Sequence, residues 1–466
     1  MVNAESIALN PVSLPDFGCP EHAPELSDAL YMHRLQLVQD MMRERALDQL
    51  VIYGDREHYA NFEYLSGFDL RFEEGLLVLG VNGRATYVLG NECEPLAGLS
   101  RIKADTKLYQ AFSLPNQPID KLRPLADILK ECGIGAGHRV GVIGWKLMAP
   151  RYANRDCFDI PQFILDGVRK AAENGEVLNV TDAFIDPVDG IRLINTAEEI
   201  AYFEYGATWA SIGLLDMLKN LRTGESELDL SRKMRIGAMT ENSHPLTVIG
   251  ENNTFGMVYP GNRKSQLGDR FNCSLGLRGG LNCRTGYIAY GLDDLPEGER
   301  DYLDVLVKPY YAAVVNWYEN MRIGVKGSDI YNMIERVLPK AKYGWKLNTG
   351  HYVANEEWVS SPFDTESKAV IKSGMCLQMD IIPSVAGYGG VNCEDGIAVA
   401  DATLRDEIAE RFPQVWARIK ARRAFMINVL HIQLPDEVLP LCNLAGCYRP
   451  YMLNQDLALT VTRPKG

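Results

Sequence analysis

GMCLQMDIIP (Gly374–Pro383) and VNCEDGIAV (Val391–Val399) each set a carboxylate inside an apolar run, Asp380 between Met379 and Ile381 and Glu394 just ahead of Gly-Ile-Ala-Val. Short apolar runs bounded by glycine and proline read as buried strands. A carboxylate in such a run is costly to bury unless it has a partner or a purpose, so both acids are candidate pocket residues. Just upstream, NTGHYVANEEW (Asn348–Trp358) places His351, one of seven histidines in 466 residues, after a glycine and ahead of Glu356 and Glu357. One imidazole and two carboxylates can hold a divalent ion such as manganese or iron. The same groups without an ion can move protons, since an unperturbed imidazole titrates near ~6.5.

Further toward the amino terminus, RFNCSLGLRGGLNCRTGYIAY (Arg270–Tyr290) reads as two strands around Gly279-Gly280. No acidic side chain occurs between Arg270 and Tyr290, whereas Arg278 and Arg284 do. Arginines lining a pocket grip a substrate carboxylate in bidentate fashion, and Arg284 is equally suited to neutralising Asp380 or Glu394. SHPLTVIG (Ser243–Gly250) reads as a neighbouring strand with His244 as a solvated residue at its start. The run Arg300–Met321 reads as a helix strained or divided at Pro309, and KGSDIYNMIERVL (Lys326–Leu338) as a helix capped by Ser328.

The texture changes near residue 190. Thr196 can cap a helix with Glu198 and Glu199 in its first turn, and Arg222-Thr223-Gly224 closes it. Before it lies an α/β lobe: a helical run from Leu26, the strand QLVIY (Gln49–Tyr53), a hairpin turning at Asn82-Gly83 and the strand HRVGVIG (His138–Gly144). After residue 425, prolines 435, 440, 450 and 464 exclude one long helix, so this piece reads as an arm on the body or on a dimer partner. The expected domains are therefore 1–188, 189–425 and 426–466.

In this order the segments resemble the pita-bread proteins, the family of creatinase, aminopeptidase P, prolidase and methionine aminopeptidase. NFEYLSGF (Asn61–Phe68) is similar to a stretch of the family's amino-terminal domain, RLINTAEEI (Arg192–Ile200) to its linker helix and MRIGVKGSDI (Met321–Ile330) to its helix-turn-helix step. TGHYV, GMCLQMDIIP and VNCEDGIAV are similar to its last three active-site strands, so the resemblance spans roughly residues 30 to 425. It implies an α/β (α+β) fold, with a creatinase-like amino-terminal α/β domain followed by a pita-bread domain whose curved antiparallel sheet is flanked by helices. His351 then stands at the family's histidine ligand, Asp380 where GMxxxxE has a glutamate, and Glu394 at the last glutamate. The metallopeptidases of the family add two aspartates, which fall here on or near Ser274 and on Leu281 or Asn282, in a hairpin several residues short. That departure counts against a two-metal site. The creatinase branch works without metal, and HYVANE and CEDG are similar to it, although its proton-shuttling histidine falls here on Met257.

The resemblance implies a metal-independent, creatinase-like hydrolase that cleaves a carbon–nitrogen bond (amide, amidino or ureido) of a small, carboxylate-bearing substrate. Its catalytic groups are expected to be His351, Glu394 and Asp380, its substrate contacts Glu356, Arg284, Arg278, Tyr352 and Arg71, and its cofactor none. Arg71 is included because in creatinase-like dimers the amino-terminal domain of one subunit reaches the site of the other. One alternative is an Xaa-Pro metallopeptidase of aminopeptidase P or prolidase type, with one manganese, zinc, cobalt or iron ion on His351, Asp380 and Glu394. Another is a non-catalytic pita-bread binding protein. The formal charge of 48 − 61 = −13 argues against nucleic acid as a partner. No apolar run approaches the ~20 residues that cross a bilayer. The start, MVNAESIALNPVSLPDFGCPEH, has no basic region followed by an apolar core. The expectation is a cytoplasmic homodimer acting on a small molecule, its ten scattered cysteines reduced.

Overall fold

Val51, Val78 and Val140, buried on adjacent strands, centre a six-stranded sheet in the first of two units into which the computed structural model divides. The structure describes residues 1–148, 157–254 and 258–463. The first unit is Leu26–Arg192, and the second joins Met1–Glu25 to Leu193–Gly466. In the first, the strand order is Asp105–Leu108, Ala85–Leu89, Gly75–Gly80, Gln49–Gly54, Arg139–Ile143, Glu176–Asn179. Its three central pairings include the hairpin expected at Asn82-Gly83, where Gly83 takes a left-handed φ of 86° that a side chain would strain.

The unit boundary departs from the expected one at both ends. Ile7–Pro11 pairs antiparallel with Leu457–Val461, Ile7 opposite Val461, so the first 25 residues close the second unit rather than opening the first. The carboxy-terminal stretch is likewise built into the body of that unit. Val438–Pro440 adds a strand to Asn392–Val399, and Leu457–Val461 completes the two-stranded ribbon.

The main sheet of the second unit has seven strands and is antiparallel throughout. Its path runs His351–Tyr352, Cys376–Met379, Asn392–Val399, Gly280–Tyr287, Arg270–Leu277, Glu241–Ile249, with Val438–Pro440 alongside Asn392–Val399. The helix Ala197–Lys219 starts in a capping box in which Thr196 and Glu199 satisfy each other's backbone N–H. Gly206 lets the hairpin turn approach that helix, because a Cβ there would lie 1.7 Å from the Arg278 carbonyl oxygen. A wide π-type turn, Leu303–Val307, precedes the helix Lys308–Asn320. Pro309 thus falls in a first turn, where its missing N–H costs nothing. The helix Gly327–Val337 has Lys326 at its cap, which puts Ser328 inside the first turn rather than at the cap. No helix among the described residues is long and apolar enough to cross a membrane. All ten cysteines are free thiols.

Candidate active site

Side chains alternate across a strand, so register decides which of them share a face. Cys283 lies opposite Ser274 on one side and Glu394 on the other, and Thr285 opposite Asn272 and Asn392. All six, with Leu281, line one cavity of about 560 Å³. Its remaining wall is largely apolar, from Leu246, Leu347, Trp358, Ile382, Pro383 and Val385. Asp380 joins it from just beyond the strand Cys376–Met379.

His351 is wholly buried and does not itself line the cavity, lying behind the lining residues Glu357, Asp380 and Glu394. Its Nδ1 is 3.1 Å from the Tyr352 carbonyl, which can only accept, so Nδ1 carries the proton and Nε2 of the neutral ring is left for the site. Trp358 stacks on the imidazole at 4.1 Å between centroids and 19° between planes. Nε2 lies 3.2 Å from Glu357 Oε1 and 4.0 Å from both Asp380 Oδ2 and Glu394 Oε1. One donor atom each from His351, Asp380 and Glu394 fall within 4.8 Å of one another. His351 Nε2 and Asp380 Oδ1 are buried with no hydrogen bond, the state of atoms prepared for a cation. The residues present therefore fit one divalent ion. They do not provide the four-carboxylate set of a two-metal site, because the cavity face of the hairpin offers Ser274 and Leu281 where the two aspartates are expected.

Burial drives the acids up. The Asp380 carboxyl is pushed to about 7 by desolvation, with Glu357 adding to the rise and His351 opposing it. Desolvation, then Asp380 and Glu357, hold Glu394 well above the usual carboxylate range. Burial works against a charged His351, yet Glu357 and Asp380 outweigh it and raise its pKa. An ion must displace these protons to bind, so affinity is lost as pH falls through the range where Asp380 and His351 gain them. The Kd for Mn²⁺ is expected to fall as pH rises through about 7, where Asp380 gives up its proton. Titrations on either side of that pH check this, and a pH-independent Kd would contradict it.

The other expected site residues lie elsewhere. Arg284 is on the opposite face of the hairpin, register partner of Cys273 and Cys393. It holds Asp395 in a bidentate pair at 3.0 and 2.9 Å, both side chains about 2% exposed. Asp395 also accepts from Asn282 Nδ2, Gly446 N and Cys442 Sγ. This network anchors the strand that carries Glu394, and it settles the hairpin's phase, with Leu281 in the cavity and Asn282 behind it. Arg278 stands in the hairpin turn against the helix Ala197–Lys219 and does not line the cavity. The cation that does is Arg270, tied at 2.7 Å to Glu299. Tyr352 turns inward, its hydroxyl 3.7 Å from Met375 Sδ. Of the two glutamates after His351, Glu357 lines the cavity and Glu356, the expected substrate contact, does not; Trp358, to which the sequence assigns no role, lines it too and stacks on the imidazole. Arg71 belongs to the other unit, over the Tyr59 ring at 5.0 Å. His244 stacks on Tyr259 and stays off the lining, which takes Ser243 and Leu246 from its strand. Met257 lies outside the described residues.

Residues 205–401 match the model of metallopeptidase family M24. No curated protein matches the chain. Among solved structures it is similar to the prolidase from Thermococcus sibiricus, with a TM-score of 0.64 and 16% identity over 81% of this chain and 95% of that one. It is similar to the prolidase from Pyrococcus horikoshii OT3, TM-score 0.61 and 15% identity over 79% and 95%. A third is an Xaa-Pro dipeptidase from Bacillus anthracis, TM-score 0.59 and 17% identity over 80% and 96%. The chain thus has the pita-bread fold, and the stretch that matches metallopeptidase family M24 lies within its second unit.

Proposed function

We propose that the protein is a metal-assisted hydrolase of small peptide-like substrates, cleaving an amide carbon–nitrogen bond of Xaa-Pro type with one divalent ion on His351, Asp380 and Glu394. The observation that carries this reading is the convergence of three buried donor groups within 4.8 Å, two of whose atoms have no hydrogen bond. The family match supports hydrolysis, and the names of the similar structures, prolidase and Xaa-Pro dipeptidase, support the substrate class. A divalent ion, when bound, supplies Lewis-acid activation of a carbonyl and of water. The chain's own part is to hold and enclose. The Tyr352 carbonyl fixes the His351 tautomer. Asn272, Ser274 and Asn392 offer neutral hydrogen-bonding groups along one wall, and the apolar wall excludes bulk water. Arg284 and Arg278 lie away from this cavity, and among the described residues the cation in its lining is Arg270, which is already paired with Glu299.

A metal-free reading is favoured by a different observation, the 3.2 Å approach of Glu357 to His351 Nε2, a pair able to pass a proton. The two separate by metal content and chelation. On the metal reading, protein purified without chelator carries close to one manganese, zinc, cobalt or iron ion per chain. Chelation then abolishes hydrolysis of Xaa-Pro dipeptides, and re-addition restores it. Metal-free protein whose hydrolysis resists chelation would transfer the reaction to the His351–Glu357 pair.

A further inference from the structure

The charge around the candidate ion is unevenly supplied. Every acid of the site comes from the His351 side of the sheet or from Glu394, while the hairpin presents to the cavity Arg270, Asn272, Ser274, Leu281, Cys283 and Thr285, none of them acidic. His351, Asp380 and Glu394 give three donor groups, and protein-bound divalent ions of this class take four or more ligands. One further carboxylate lies beside the histidine, outside the cluster that His351, Asp380 and Glu394 form. Glu357 lines the cavity with its Oε1 3.2 Å from His351 Nε2, and its charge acts on Asp380 and Glu394 alike.

Its position is built. Tyr352 N donates to Ser360 O at 2.8 Å and Val359 N to Tyr352 O at 3.1 Å, which pins both ends of the loop carrying Glu357. Gly279 N, in the hairpin turn, donates to Ala354 O at 2.8 Å. Trp358, the next residue, lies flat on the imidazole. A loop tied at its base, at its middle and to the ring itself holds the Glu357 side chain against His351 Nε2, next to the three-group cluster.

We propose that Glu357 is a fourth protein ligand, supplying the charge that Ser274 and Leu281 do not, so that the site is a mononuclear His351/Asp380/Glu394/Glu357 centre with room for one ion. This rests on the single-ion reading above. It differs from a plain ion pair, in which Glu357 would only accompany a protonated His351 and contribute nothing to metal affinity.

The test is calorimetric titration of the chelator-stripped full chain with Mn²⁺, together with the visible spectrum of its Co²⁺ form, which reports the ligand set. Unmodified protein, Glu357→Gln, the neighbouring Glu356→Gln and Asp380→Asn are compared, with metal-free melting curves confirming that each is folded. The expected result is one ion per chain in the unmodified protein and in Glu356→Gln at equal affinity. In Glu357→Gln the Kd rises by about tenfold to a hundredfold, at least the loss seen for outer-shell partners, and the Co²⁺ spectrum changes. Full affinity and an unchanged Co²⁺ spectrum in Glu357→Gln, while Asp380→Asn fails to bind, would overturn the ligand role and leave the single-ion reading standing. Two ions per chain would overturn the mononuclear site. No ion in the unmodified protein would overturn the single-ion reading itself, and this inference with it.

Discussion

His351→Gln is expected to lower hydrolysis of Xaa-Pro dipeptides by about a thousandfold or more, equivalent to about 4 kcal/mol of transition-state stabilisation. The replacement keeps a polar side chain of similar reach, so the buried position is not left as a cavity. What it removes is Nε2, the nitrogen 4.0 Å from both Asp380 and Glu394 and 3.2 Å from Glu357. On the metal reading that nitrogen is a ligand, and the variant loses its ion along with its activity. On the proton-transfer reading it is the base, and activity is lost with no change in metal content. Activity within tenfold of the unmodified enzyme would sink both readings, because each routes its chemistry through this one atom. Steady-state rates and metal analysis on the same preparation separate the outcomes.

Arg284→Met is expected to cost about 3–5 kcal/mol of folding stability, the penalty for leaving a buried charge without its partner. Asp395 would keep Asn282 Nδ2, Gly446 N and Cys442 Sγ, and would lose its only compensating cation among the described residues. The pair lies directly behind Glu394, so the loss loosens the strand on which that acid stands. Replacing both members, as Arg284→Met with Asp395→Leu, is expected to recover a large part of the stability, since buried pairs exchanged for apolar side chains of similar size are often neutral. Guanidinium unfolding of the single and double variants measures both. A loss below about 1 kcal/mol in Arg284→Met would mean that the pair behaves as an exposed one.

Much of the sheet was legible because strand signals are local. Apolar runs ending in glycine located the strands from His351 to Val399, and the acids at Asp380 and Glu394 stood out because carboxylates in apolar runs need a reason. The alternation of side chains offered one further reading. Cys283 and Glu394 share the cavity face, so Arg284, Asn282, Cys393 and Asp395 must share the other, and the arginine expected to hold substrate is instead a structural partner of Asp395. Parity along each strand is visible in sequence. Which parity faces the cavity is not, because it depends on pairing between segments more than a hundred residues apart. The same limit explains why the amino terminus was placed in the wrong unit, since Ile7 meets its partner at Val461.

The sequence by itself determined the succession of elements, the pita-bread type of the second unit, the three-residue core of the site and the loss of acid from the hairpin. The succession of elements rests on periodicity within short windows, whereas the pita-bread type, the grouping of His351, Asp380 and Glu394 and the missing hairpin acids are what the resemblance to the family implies. Tertiary structure decided the rest: Glu357 rather than Glu356 in the cavity, Trp358 on the imidazole, Arg284 behind the sheet, and the joining of the two chain ends. Those choices follow from strand register and loop closure, in which the free energy of one contact depends on many others formed far away in the chain.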